Sequence, residues 1–110
     1  MRYVIVDEFI QEMRRMNSVE RMIIFYLASH SADGCVRLDI VRADITTVGV
    51  FDYRFFNALD RLKEIKVGVR IDDGARVDFP LVEVKRERYS VVQLQTDLMD
   101  IIFEAGKGLL

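Results

Sequence analysis

Residues 52–79 read DYRFFNALDRLKEIKVGVRIDDGARVDF, and this stretch decides the fold. In its first half, apolar residues recur every three or four positions, which predicts a helix with one face turned inward. In residues 67–72, apolar and polar residues alternate with the period of a half-buried strand, and Asp72-Asp73-Gly74 favours a hairpin turn. The stretch therefore predicts a helix followed directly by a β-hairpin. The inward-facing residues of the helix are Phe55, Phe56, Leu59, Leu62 and Ile65, with Ala58 small enough for close approach to a neighbour.

Two helices are predicted near the amino terminus. After a β-prone run at residues 3–6, Asp7 is the expected cap of a short helix with an apolar face. Asn17 or Ser18 begins a second helix, because Asn17 and Glu20 have the spacing of a capping box before a series of apolar residues at helical intervals. This second pattern is the clearest helix signal in the chain.

A turn, a strand and a third helix lead into the deciding stretch. Residues 31–34 contain Asp-Gly and have the composition of a turn, and residues 35–38 follow as a short strand. Asp39 is expected to cap a short helix, after which Gly49 permits a turn. Two helices thus lie side by side in sequence between Asp39 and Lys66.

A second hairpin and a last helix are predicted after the deciding stretch. Pro80 limits the pairing of the first hairpin's return strand or marks an edge or bulge. The charged residues 85–88 separate two further apolar runs and favour a turn. The predicted elements are a return strand from Arg76, a hairpin of residues 81–84 and 89–94, and a helix from Thr96 or Asp97 to Gly106.

This order of elements is typical of a winged helix-turn-helix. It predicts an α+β fold with an extra amino-terminal helix and a carboxy-terminal strand and helix, in one domain covering residues 1–110. A ferredoxin-like fold is disfavoured, because it would separate the two central helices by strands.

Composition argues against several classes of site. With Cys35 as the only cysteine and His30 as the only histidine, neither an intrachain disulfide nor a Cys/His zinc site is expected, which favours a reducing compartment. The longest apolar run, residues 22–28, is far shorter than the roughly 20 residues that span a bilayer. We therefore expect a cytoplasmic protein with no membrane partner, no metal and no cofactor.

Nothing in the sequence assembles a catalytic set. The acidic pairs at residues 7–8 and 72–73 fall at a helix start and in a hairpin turn, where carboxylates have structural roles. Residues 106–108, Gly-Lys-Gly, lack the glycine spacing and the hydroxyl of a phosphate-binding loop. The sequence therefore predicts no catalytic residues, and we expect a protein that is not an enzyme.

The outer face of the helix at residues 52–65 is suited to nucleic acid. Arg54, Asn57 and Arg61 recur at helical spacing, and arginine and asparagine bond bidentately to guanine and adenine edges. The formal net charge is only −2, but residues 35–76 hold eight basic against seven acidic residues and are the least acidic third. The candidate DNA-binding residues are Tyr53, Arg54, Asn57, Arg61 and Lys63 on the helix, and Arg70 and Arg76 on the hairpin as a wing.

Apolar material at the chain ends suggests a different surface. Residues 3–6, the stripe at residues 9–16, and residues 101–103 and 109–110 exceed what one small winged helix needs. They either become buried between two copies, as a homodimer, or pack on the same core. Both alternatives stay open at this point.

The order of motifs resembles the first winged-helix domain of plasmid replication initiator (Rep) proteins over about residues 18–105. The segments that carry the resemblance are SVERMIIFYLA (18–28), CVRLDIVRADI (35–45), YRFFNALDRLKEI (53–65), VGVRID (67–72) and YSVVQLQTDLMDIIF (89–103).

The resemblance implies a domain that mediates dimer formation and contacts mainly the backbone of origin DNA. It also implies that a second winged-helix domain reads most of the bases. Residues 1–110 show no counterpart of that domain, so we expect either a fragment of a longer protein or a stand-alone winged helix. From the sequence we expect a double-stranded-DNA-binding protein of replication initiation or of transcriptional control, from a plasmid or another mobile element. The alternative is a dimerisation or adaptor module that binds no nucleic acid.

Overall fold

The computed structural model of the protein describes residues 2–102, in which four helices and six strands precede a final helical turn. The helices are α1 (Val6–Arg15), α2 (Ser18–His30), α3 (Leu38–Thr47) and α4 (Asp52–Glu64). The strands are β1 (Tyr3–Val4), β2 (Cys35–Arg37), β3 (Lys66–Arg70), β4 (Arg76–Pro80), β5 (Val82–Arg86) and β6 (Ser90–Leu94). Thr96–Leu98 then forms a 3₁₀ turn, and residues 99–102 are helical. The predicted α+β class is confirmed, while the predicted helix end at Gly106 lies outside the described residues.

Side-chain chemistry at the helix starts confirms the predicted cap of α2. At α2, the Asn17 side chain accepts a hydrogen bond from the Glu20 backbone N–H at 2.9 Å, which satisfies one of the free donors of the first turn. The predicted caps Asp7 and Asp39 are wrong, because both residues lie inside the first turns of α1 and α3. There their carboxylates complement the positive end of the helix dipole.

The strands form two antiparallel sheets of three strands each, in the orders β1-β3-β4 and β2-β6-β5. In the first sheet, β3 and β4 are the hairpin of the deciding stretch, with Val67 opposite Phe79. In the second sheet, β5 and β6 are the second predicted hairpin, and β2 pairs with β6 so that Val36 lies opposite Val92. Pro80 lies on the edge strand β4, where a missing N–H costs no ladder bond. The two hairpins therefore belong to different sheets.

The core is built around α2, on which α3, α4 and the second sheet pack. On α4, Phe55, Ala58 and Leu62 are fully buried, in agreement with the predicted inner face. Phe56 was also predicted to face inward, and this prediction is wrong, because its side chain is 40% exposed. Adjacent residues on a helix point about 100° apart, and Phe55 already occupies the inward direction. The largest fully buried side chains are Phe55, Ile23, Ile24, Leu27, Leu62, Leu81, Leu94, Leu98 and Ile102.

The apolar amino-terminal segment packs largely on this same core. Val4, Phe9 and Met16 are buried, and Met13 is partly buried against them. Most of the apolar surplus noted in the sequence is thereby accounted for within one chain. Within residues 2–102, no helix is long and apolar enough to cross a membrane.

Candidate nucleic-acid interface

Helix α4 presents the predicted polar face to solvent. Its apolar face packs against α2 and α3, so Arg54, Asn57 and Arg61 all point outward and are exposed. Among the described residues, the side chains of Arg54 and Asn57 make no hydrogen bond or ion pair, which leaves their polar groups available to a ligand. These two residues are the part of the predicted site that the structure leaves unengaged.

Two other cations of α4 already have partners. The Arg61 Nε lies 3.0 Å from Oε1 of Glu20, whose side chain is only 7% exposed while that of Arg61 is 59% exposed. A buried carboxylate needs a compensating charge, so this ion pair ties Arg61 to α2. Lys63 pairs with Asp60 at 3.2 Å, one helical turn earlier, as a surface pair that exchanges easily with water and salt.

Aromatic side chains cluster at the start of α4. Tyr53 is exposed and stacks on the exposed Phe51, with ring centroids 6.0 Å apart and an interplanar angle of 11°. Beside them, Asp52 pairs with Arg42 of α3 at 3.4 Å. The beginning of α4 is thus a mixed aromatic and charged surface rather than a purely basic one.

The hairpin β3–β4 carries its two predicted arginines in engaged positions. An Arg70 guanidinium nitrogen donates to the Gly74 carbonyl at 3.0 Å, inside the hairpin itself. Arg76 pairs with Glu8 of α1 at 2.7 Å and with Asp78 at 2.9 Å, and the contact with Asp78 raises the pKa of Arg76. Three carboxylates, those of Asp72, Asp73 and Asp78, accompany these two cations on the hairpin. With Lys66 at the start of β3, the hairpin holds three cations and three carboxylates, so its formal charge is zero.

The hairpin β5–β6 has a net positive charge instead, with three basic residues against Glu83 and Glu87. Lys85, Arg86 and Arg88 are exposed at its tip, where Glu87 is the one carboxylate. Lys85 lies 3.9 Å from Glu83, at the limit of an ion pair. Our sequence reasoning treated residues 85–88 only as a charged turn, although three basic residues in four positions are the densest basic cluster in the chain. That density is the signal that could have identified this turn as part of a site.

A groove of about 320 Å³ joins the β5–β6 hairpin to α3 and α4. The Arg37 guanidinium lies 4.0 Å from the ring centre of Tyr89 and pairs with Asp39 at 2.7 Å. Arg42 and the exposed edge of Phe56 complete its walls. The groove places cations and aromatic rings between the candidate helix and the β5–β6 turn, a combination that suits phosphates and bases.

A larger groove lies on the other side of α3, between α3 and α2. In it, the Tyr26 hydroxyl donates to Oδ2 of Asp44 at 2.5 Å, and the Tyr26 ring stacks on His30 with centroids 3.9 Å apart. Burial, together with the hydrogen bond to the Asp44 carboxylate, raises the pKa of Tyr26 to about 12 from its ordinary value of 10.0. The Tyr26–Asp44 hydrogen bond therefore links α2 to α3, and it lasts as long as the Tyr26 hydroxyl keeps its proton.

Alkaline pH is expected to destabilise the protein through Tyr26. The folded protein keeps this phenol proton until about pH 12, whereas the unfolded chain releases it near pH 10, so the contribution is complete below pH 10 and is lost as the pH rises to about 12. Unfolding free energies measured across this range should fall more steeply for the native protein than for Tyr26→Phe. Subtracting the tyrosinate absorbance titrations of the two proteins should isolate a midpoint near 12, and a midpoint near 10 would contradict the contact.

Comparison with known proteins gives no match: no family model matches the chain, and no curated protein or solved structure is significantly similar to it.

Proposed function

We propose that the protein is a winged-helix DNA-binding protein in which α4 enters the major groove and the β5–β6 hairpin is the wing. The observation that carries the proposal is the pairing of β2, β6 and β5 in one sheet that packs on the helices α2, α3 and α4. Helix, strand, helix, helix and hairpin in this arrangement are the parts of a winged helix, and the exposed Arg54 and Asn57 supply groups that read base edges.

Charge supports β5–β6, rather than the β3–β4 hairpin of the deciding stretch, as the wing. A wing lies along the phosphate backbone and needs cations at its tip. Lys85, Arg86 and Arg88 are exposed at the tip of β5–β6, whereas Arg70 and Arg76 of β3–β4 bond to their own hairpin and to α1. In this proposal the sheet β1-β3-β4, on which α1 packs, lies beside the DNA-binding unit and does not contact DNA.

The role we propose is replication initiation or transcriptional control in a plasmid or another mobile element. The support is the resemblance of residues 18–105 to the first winged-helix domain of Rep proteins, and the two small sheets beside three helices are compatible with it. Within that role, this chain would bind double-stranded origin or operator DNA, and most of its contacts would be to the sugar-phosphate backbone of the DNA.

Salt-dependent binding to a fluorescently labelled duplex tests the proposal. At about 50 mM salt, where backbone contacts are favoured, the protein should raise the anisotropy of the duplex. The slope of log affinity against log salt is negative. Replacing Lys85, Arg86 and Arg88 together with alanine should make it shallower by about three, close to one for each phosphate contact removed. Arg54→Ala should cost about 1–3 kcal/mol on a preferred sequence by removing a base contact.

The matched control is the pair Arg70→Ala and Arg76→Ala on the other hairpin. These changes remove cations from β3–β4, so they should leave the salt slope nearly unchanged if β5–β6 is the wing. A slope that responds to Arg70 and Arg76 but not to the β5–β6 cations would return the wing to β3–β4. Absence of any binding at about 50 mM salt would overturn the DNA-binding function itself.

The second candidate function is a dimerisation or adaptor module without nucleic-acid binding. The exposed pair Phe51 and Tyr53, next to the exposed Val48, has the aromatic and aliphatic composition of a protein interface. Asp52, Asp60 and Glu64 on the same helix oppose a phosphate backbone. Self-association or partner binding with no affinity for DNA at low salt would favour this function.

A further inference from the structure

The apolar surface of helix α2 is wider than the part that is fully buried in the core. Ile23, Ile24 and Leu27 are fully buried against α3, α4 and the second sheet. Met22, Phe25 and Tyr26 form a second stripe beside them, which packs against the edge of the core and is only partly buried. A helix that is apolar around most of its surface is normally covered on every side, so the second stripe calls for a further contact.

The second stripe lines the larger groove between α2 and α3, which has a volume of about 700 Å³. It extends along α2 from Ser18 to His30, which corresponds to about 18 Å at the rise of an α-helix. Val48, at the opposite rim, has 68% of its surface exposed. The groove is long and open, whereas a small ligand normally has 70–90% of its surface enclosed, so its shape suits a helix better than a small molecule.

A second uncovered apolar surface lies on α1. Val6 and Ile10 are 42% and 41% exposed and stand one turn apart on the same face, and Arg14 continues that face by another turn. The inner face of α1 is already used, since Phe9 packs into the core. At ten residues α1 is about 15 Å long, which matches the length of the groove.

We infer that these two surfaces meet between two copies of the chain, with α1 of each protomer lying in the α2–α3 groove of the other. Charge supports this occupant. Of the described residues that line the groove, Asp44 is the one with a carboxylate, and the Tyr26 hydroxyl bonds its Oδ2 and leaves Oδ1 for a cation. Arg14 supplies that cation at the end of the apolar face, and within residues 2–102 its guanidinium has no ion pair.

The chain connection makes the contact reciprocal. The Arg21 guanidinium donates to the Met13 and Arg14 carbonyls at 3.2 and 3.4 Å, so the end of α1 is fixed beside the start of the groove. When two copies are related by a two-fold axis near this corner, the outer face of each α1 lies in the groove of the other copy, and the assembly closes as a dimer. A single contact repeated head to tail would instead continue as a polymer. Reciprocity also doubles the buried area, toward the roughly 1,200–2,000 Å² of stable interfaces.

Light scattering coupled to gel filtration at roughly 100 µM, far above a micromolar dissociation constant, tests the inference. The native protein should elute with the mass of a dimer. Ile10→Lys on α1 and Val48→Glu on the groove rim should each give a monomer, and because both side chains are exposed, circular dichroism should show an unchanged fold. Ile40→Lys is the matched control, since Ile40 is 43% exposed on α3 outside the groove, and this variant should remain a dimer.

Mixing the two monomeric variants provides the decisive measurement. The Ile10→Lys protein keeps an intact groove and the Val48→Glu protein keeps an intact α1 face, so a mixed dimer has one native contact and one that joins opposite charges. The mixture should therefore recover a dimer that neither variant forms alone. A monomeric native protein, open-ended polymers, or a dimer that survives both substitutions would each overturn the inference. None of these outcomes depends on whether the protein binds DNA.

Discussion

Phe55→Ala is expected to lower the free energy of unfolding by about 3–5 kcal/mol, the cost of emptying the space of a large side chain in a packed core. Phe55 is completely buried on α4, and its ring meets that of Phe56 edge to face at a centroid distance of 5.2 Å. Domains of this size are stable by only about 5–15 kcal/mol, so the variant should lose a large fraction of its stability and unfold at a much lower urea concentration. Urea denaturation followed by circular dichroism measures the loss.

The neighbouring residue provides a matched control for this prediction. Phe56→Ala removes the same atoms from a side chain that is 40% exposed, so it should cost about 1 kcal/mol or less. Equal losses at the two positions would mean that Phe56, and not only Phe55, faces the core. A larger loss of stability at Phe56 than at Phe55 would mean that Phe56, and not Phe55, is the residue of α4 that faces the core.

The contrast between Phe55 and Phe56 shows how much of the buried face of α4 helical periodicity can predict. The pattern of residues 52–65 identified α4, and its buried residues Ala58, Leu59 and Leu62 were predicted. Periodicity gives an apolar arc but not its edge, because two adjacent aromatic residues both fall within a wide arc. Which of them enters the core depends on where α2 and α3 lie, and that is set by the whole fold.

Hairpins show the same division between local and long-range information. Both turns were predicted from neighbouring residues, because Asp-Gly and charged clusters are local signals. The partner of β2 was not, since Cys35 pairs with Gln93 across more than half of the chain. That pairing decides which hairpin packs with the helices, and it is one reason why we propose β5–β6 rather than β3–β4 as the wing.

The candidate site divides in a similar way. Exposure of Arg54, Asn57 and Arg61 was predicted, because it follows from the same periodicity as the buried face of α4. The engagement of Arg61 with Glu20 was not predictable, because these residues meet only when α2 and α4 pack together. Sequence patterns report which side chains are outward, whereas the structure decides which of them remain available.

Gly34→Val is expected to be the other severe substitution, with a loss of about 2–5 kcal/mol in the free energy of unfolding. Gly34 has a φ of +70°, a conformation that β-branched residues strongly disfavour. A Cβ at this position would lie 2.9 Å from Sδ of Met99 and 3.1 Å from Cβ of Leu94. The Gly34 carbonyl also accepts the Leu94 N–H at 2.9 Å, so a backbone shift would loosen the link between the turn after α2 and the end of β6.

Gly74→Val separates the two causes of this loss. Gly74, in the β3–β4 turn, has a comparable φ of +80°, but a Cβ there would meet no atom within 4 Å. Its cost should therefore be the backbone strain alone, about 1–2 kcal/mol. Thermal or urea unfolding of both variants gives the difference, which is the part due to crowding by Met99 and Leu94. If Gly74→Val destabilises the protein as much as Gly34→Val, strain alone explains both results. The close packing of residues 94–99 against the turn after α2 then contributes little to stability.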